Sequence, residues 1–245
     1  MTATTTSISR SITKSVFSRK QSEGVGARVR RSIGRPELRN HDPFLMLDEF
    51  TVDKNGGFPD HHYREFETVT YMLEVKSQTH AQGLQRWINL PQEHTMYEPQ
   101  YQELLDAQIL RARPKDEFVV EVIAGESHSL KPQSYTRKPI MYLDFKMSST
   151  QTITRTILET KGRFFHVLNG TAYIGDLGHE TEAKAYHALI FSEDGTSTIR
   201  IQTKDEEADF VMITGEPSKK PVVQIGQLVI NTREEVYHIG IIAMA

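Results

Sequence analysis

The chain has 245 residues, enough for one large β domain or two small ones, and it lacks cysteine, which excludes disulfides, thiolate metal sites and cysteine nucleophiles. Its 29 basic and 32 acidic side chains nearly cancel to a net charge of −3, yet residues 1–40 hold nine Lys or Arg against only Glu23 and Glu37, so a basic arm precedes an acidic body. Hydrophobic residues make up 38% with no apolar run long enough for a membrane-spanning helix, and Phe17 is the sole aromatic of the arm, which speaks against a direct nucleic-acid surface. The arm is therefore expected to pair with the acidic body of its own chain.

Residues 1–22 are rich in Ser and Thr, carry Arg10, Lys14, Arg19 and Lys20, and have no acid. That composition suits either an organellar transit peptide or a flexible tail; the tail is the reading adopted, over residues 1–13. Residues 23–35, with Gly24, Gly26 and Gly34 among many charges, read as an irregular solvated segment. Apolar density rises from Phe44 to Phe50. Residues 67–74 then alternate Val69, Tyr71 and Leu73 against Thr68, Thr70 and Met72, the period of a strand. Residues 84–90, around the single Trp87, and 118–124 are further strands. Residues 101–110 place Leu104, Leu105, Ile109 and Leu110 near helical spacing and predict a short helix.

Residues 141–147 alternate cleanly. Residues 164–168 and 171–174 flank Asn169-Gly170, a strong hairpin signal, and predict two strands joined by a tight turn. Residues 185–191, 198–203 and 209–215 complete the series, and Asp205-Glu206-Glu207 reads as a solvated turn. Short strands punctuated by turn residues make an all-β chain of sandwich or barrel type. A boundary falls near residues 111–116 or in the 127–138 loop with Pro132 and the following Pro139, and the division adopted is 14–125 and 126–245. No Ser-His-Asp arrangement and no phosphate-binding glycine loop stands out, and His166, His179 and His187 read as structural or surface residues.

One stretch carries candidate chemistry. Phe58-Pro59-Asp60-His61-His62-Tyr63-Arg64-Glu65-Phe66-Glu67-Thr68-Val69 puts two histidines and an aspartate before a strand, and imidazole is the commonest protein ligand of transition metals. This stretch resembles the pirin family. So do residues 24–38 (Gly24-Val25-Gly26-Ala27-Arg28-Val29-Arg30-Arg31 onward), Asp42-Pro43-Phe44-Leu45, Glu98-Pro99-Gln100-Tyr101-Gln102-Glu103, Tyr142-Leu143-Asp144-Phe145-Lys146 and Tyr173-Ile174-Gly175. The resemblance runs in order from about Ser15 to about Glu235. It implies a bicupin, two stacked jelly-roll β-barrels. It also implies a nuclear and cytoplasmic protein that assists transcriptional regulators or, in plant members, contacts a G-protein α subunit. Some members show iron-dependent quercetin 2,3-dioxygenase activity.

The resemblance also implies where this chain departs. The family's N-terminal barrel holds iron with three His and one Glu, two of the histidines in a His-x-His motif. Here His61 matches the first, Tyr63 stands at the second, and His62 falls on the opposite face of an extended chain. The His-x-Glu pair should follow the strand ending Leu73-Glu74, but no His-x-Glu occurs in residues 75–110, where His80, His94 and Glu98 lack the spacing. The expectation is a shortened N-terminal barrel, His61 as a remnant of the metal site, no resident cofactor, and iron only if the site is rebuilt. Function is then expected through protein partners, with Arg28, Arg30 and Arg31 as the candidate contact surface, and the dioxygenase as the alternative.

Overall fold

The computed structural model describes residues 9–58, 66–76, 80–91, 100–115, 118–156, 162–193, 197–225 and 228–230. The all-β expectation holds: among the described residues every regular element apart from one 3-10 turn at Asp106–Gln108 is a strand. The chain divides into two compact units, residues 1–19 with 102–216 and residues 20–101 with 217–245.

The second of these units carries β2 (Arg19–Ser22), β3 (Ala27–Ile33), β4 (Phe44–Asp53), β5 (Phe66–Lys76) and β6 (His80–Asn89), in the sheet order β2-β3-β4-β6-β5. β3 forms because Ala27 and Val29 alternate inward while Arg28 points to solvent, a pattern masked in the sequence by the density of arginines. In place of the irregular segment expected at 23–35, Ala27–Ile33 is a strand paired with β4 from Ala27 opposite Val52 to Ile33 opposite Leu47. Leu45, Met46, Phe66 and Trp87 pack together with Val222, and the Phe66 and Trp87 rings stack at 4.4 Å. Among the described residues the sheet is a path with two ends, β2 and β5.

The other unit holds a ten-stranded sheet. Its strands are β1 (Ile12–Phe17), β7 (Leu110–Lys115), β8 (Phe118–Ala124), β9 (Ile140–Met147), β10 (Thr152–Thr156), β11 (Gly162–Ile174), β12 (Thr181–Lys184), β13 (His187–Phe191), β14 (Thr198–Gln202) and β15 (Ala208–Gly215). The main path is β1-β13-β11-β15-β9-β8-β7, with β12 and β14 on β11 and β10 on β14. The inward faces of β8, β9, β11 and β15 meet in a core of Val120, Val122, Leu143, Phe145, Phe165 and Phe210. A short two-stranded ladder, β16 (Val223–Ile225) and β17 (Leu228–Ile230), completes the elements.

Four expectations differ from what is seen. The hairpin expected at Asn169-Gly170 is instead the interior of one 13-residue strand, β11, which pairs with β15 through Gly170, with an irregularity at Leu168, and with β12 from Thr171 onward. The ladders on both sides override the local turn preference, and Gly170, just after the irregularity, takes a positive φ of 68°. The expected helix at 101–110 is only the 3-10 turn, with Leu105 exposed instead of packed. Residues 9–13 are tied down and not a free tail: both carboxylate oxygens of Asp176 accept from the Ser9 amide, and the buried Arg10 guanidinium donates to the carbonyls of Ser192 and Glu193. Finally, β7 and β8 pair onward into β9, so the 127–139 loop is a connection within one sheet and the chain divides near 101 where the sequence suggested 125.

Candidate functional site

β3 and β4 position the arginines. Arg28 faces Thr51, Arg30 faces Glu49 and Arg31 faces Asp48 across the ladder. Arg31 is committed to its own unit: Nε and one Nη donate to the two Asp48 oxygens at 2.8 and 2.7 Å, and the same Nη reaches Glu23 at 3.1 Å. This bidentate pair is partly desolvated, with the Asp48 side chain 6% and the Arg31 side chain 21% exposed. Burial pushes the Asp48 carboxyl above its ordinary range, and the guanidinium pulls against that shift. Of the three arginines expected to form a contact surface, Arg28 is exposed, Arg30 is partly buried and Arg31 is turned inward. Asp48 as the partner of Arg31 was invisible in the sequence because it needs the β3–β4 pairing, and β3 was not predicted.

The expectation that the basic arm pairs with its own acidic body is met at Arg31 with Asp48. A second local pair joins Arg35 and Glu37 at 2.8 Å.

His61, His62 and Tyr63 lie outside the described residues, as do His94 and Glu98. The flanks of the 59–65 stretch are placed by aromatic contacts. Before it, Phe58 meets Phe50 edge-on with centroids 5.7 Å apart; after it, Phe66 stacks on Trp87.

The second half of the family's ligand set can be tested against the β5–β6 pair. Glu74 faces Gln82, Val75 faces Ala81 and Lys76 faces His80, so the ladder runs to the ends of both strands and three positions of sequence separate them. His80 Nδ1 lies 3.9 Å from Asp53 Oδ1, a single imidazole beside a largely exposed carboxylate. Among the described residues no three His, Asp or Glu side chains are grouped to hold an ion. A mononuclear iron centre requires at least a facial set of three, so the described donors do not fit one.

In the other unit, His166 is fully buried within β11, and the His187 Nδ1 proton is shared between the carbonyls of Lys184 and Ala185, each at 3.1 Å. Both histidines therefore sit inside the strand framework. Lys204, Asp205, Glu206 and Glu207 are exposed between β14 and β15, the solvated turn expected from the sequence.

Comparison with known proteins agrees with this architecture. A family model described as "Pirin" matches residues 26–83, and one described as "Pirin C-terminal cupin domain" matches residues 142–239. The human protein named pirin is 40% identical over 264 aligned positions, covering 93% of this chain and 90% of its own length. A tomato (Solanum lycopersicum) pirin-like protein is 41% identical over 262 positions, covering 93% and 89%. Both alignments are longer than the 245-residue chain, so each relative carries residues that this chain lacks. Among solved structures, a quercetin 2,3-dioxygenase from Acinetobacter baumannii superposes with a TM-score of 0.84 at 21% identity, covering 94% of this chain and 95% of that one. A bacterial pirin from Escherichia coli in complex with nickel(II) gives 0.63 at 13% identity, covering 83% and 99%. At those identities the likeness is one of fold, the two-barrel arrangement expected from the sequence.

Proposed function

The chain is a member of the pirin family, and on that premise we propose that it acts through protein contact without a resident metal, as a transcription-cofactor type of interaction protein in the nucleus and cytoplasm. The observation that supports this reading is the β5–β6 ladder, which pairs Lys76 with His80 and so leaves three positions of sequence between strands where the resemblance places a hairpin carrying half of the metal ligands. The partner class follows from family membership: a transcriptional regulator, or a G-protein α subunit. The contact surface we assign is the outward side of β3, led by Arg28, with Arg30 beside it and Arg31 holding the strand in place through Asp48.

A second reading has its own support in the A. baumannii neighbour, whose name is quercetin 2,3-dioxygenase. In that reading His61, with Tyr63 or His62 recruited, holds iron in a rebuilt site. Elemental analysis of the purified full chain after Fe(II) loading, beside His61→Ala, separates the two. The interaction reading expects far less than one iron per chain and no oxygen uptake with quercetin. Stoichiometric iron that disappears on His61→Ala, with oxygen consumption, would establish the dioxygenase and reject the metal-free proposal.

A further inference from the structure

A second polar cluster lies in the 102–216 unit, away from the arginines and from the His61 stretch. Residues 127–130 form a tight two-residue turn closed by reciprocal backbone hydrogen bonds between Ser127 and Leu130, at 3.0 and 2.8 Å. Its central residues, His128 and Ser129, take φ values of 51° and 61°, a conformation usually given to Asn or Gly. The turn delivers Ser127 and His128 to Arg155 on β10. Ile153, two residues before Arg155 on the same strand face, is buried in the core, so Arg155 shares the inward side of β10.

The hydrogen bonds fix the protons. Arginine only donates, so the Arg155 Nη1 at 3.0 Å from His128 Nε2 makes that ring nitrogen the acceptor. The ring proton then sits on Nδ1 and points at Ser127 Oγ, 3.0 Å away. Arg155 Nη2 also donates to Ser127 Oγ. The serine oxygen thus accepts twice and its own O–H is left to donate. With its Nε2 engaged by a guanidinium, His128 cannot serve as a base, so the cluster is no nucleophilic dyad.

The result is a surplus of donors. Arg155 spends two of its five N–H groups, and its buried Nε finds no acceptor among the described residues. Burial pushes the Arg155 guanidinium down, and among the described residues no carboxylate acts to raise it. A half-buried cation and an unspent hydroxyl, with acceptors missing, make an environment that an oxyanion completes.

We propose that Arg155, Ser127 and His128 form a binding site for a phosphate-type oxyanion, either inorganic phosphate or the terminal phosphate of a small ester. Arg155 supplies the charge and several N–H donors, Ser127 donates its hydroxyl, and His128 holds both in place as a neutral spacer.

The test is calorimetric titration and thermal unfolding of the full chain with sodium phosphate, and separately with glycerol 3-phosphate, at ionic strength held constant with NaCl. Saturable binding and a midpoint that climbs with ligand are expected, and tighter binding of the ester would identify an organic phosphate as the ligand. Arg155→Met should abolish the response while unfolding no earlier than the parent chain in phosphate-free buffer. Arg155→Lys and Ser127→Ala, which keep the charge or the fold, should each weaken binding by roughly tenfold. An unchanged response in these variants, or a parent response matched by NaCl alone, overturns the site.

Discussion

Replacing Arg31 with methionine tests whether the N-terminal unit is held by a buried ion pair. The substitution leaves the apolar stem and removes the guanidinium that bonds both oxygens of Asp48. The orphaned carboxylate is nearly inaccessible and then feels only the like charge of Glu23. Removing one partner of a buried pair costs about 3–5 kcal/mol; with Arg31 itself one-fifth exposed, the low end, about 3 kcal/mol, is expected. In Arg31→Met/Asp48→Leu no charge is stranded, and that double variant should lie within about 1 kcal/mol of the parent. The cycle therefore carries a coupling of about 2 kcal/mol or more. The assay is built into the chain: Trp87 is the only tryptophan and is buried in this unit, so its fluorescence during urea unfolding reports the unit by itself. A single variant costing under about 1 kcal/mol, or a double variant as damaged as the sum of the singles, would refute the account.

Three further outcomes follow from the same geometry. Gly170→Ala should destabilise the C-terminal unit by at least about 3 kcal/mol, because the added Cβ would lie 1.9 Å from the Glu207 carbonyl oxygen at a φ of 68°; urea unfolding followed by far-UV circular dichroism reads it, and a loss under about 1 kcal/mol would mean the strand relaxes freely there. Burial first, and the Arg155 charge second, hold the His128 imidazole below its ordinary value of 6.5, so the unfolded chain binds the proton more readily. Stability from this group is complete above pH 6.5 and declines as pH falls below it; an NMR titration placing His128 at or above 6.5 contradicts that sign. Reversing Arg28 to Glu should weaken capture of an acidic partner protein by roughly tenfold while leaving the Trp87 unfolding curve within about 0.5 kcal/mol of the parent, and a shifted curve would mean that Arg28 supports the fold instead.

Strands whose buried face alternates with a polar one could be read directly. β8 matches its predicted range, and β9 matches to within one residue because Leu143, Phe145 and Met147 all enter the core. β3 escaped because Ala27 and Val29 are too small a signal beside Arg28, Arg30 and Arg31. β1 escaped because its inward content is little more than Val16, and its place is set by ladder bonds to β13 far along the chain. Asn169-Gly170 misled for a related reason: the dipeptide fits a tight turn, but whether the chain reverses there depends on what pairs with each side, and β15 and β12 hold it straight. The candidate site was legible only in its losses. A missing His-x-Glu can be read from letters, whereas the Arg31–Asp48 pair and the Ser127–His128–Arg155 cluster join residues 17 and about 28 positions apart through pairings that no local pattern encodes.

On the proposed reading, β5 and β6 meet where the resemblance places the His-x-Glu hairpin. A strand hairpin removed from a sheet leaves two neighbours that must either pair or stand open. Here β5 and β6 pair over their whole length, from Phe66 opposite Asn89 to Lys76 opposite His80, with one irregularity between Met72 and Glu74. The repair preserves the stacked Phe66 and Trp87 and the β4–β6 ladder, so the scaffold beneath the arginines of β3 survives. Among the described residues β5 is an end strand of this sheet, with Met72 42% and Val75 66% exposed. Selection for a contact surface would have acted on β3 and β4, whose bidentate pair and buried inner face are intact. That intact inner framework is the physical ground for the proposal that this chain works through the surface of β3.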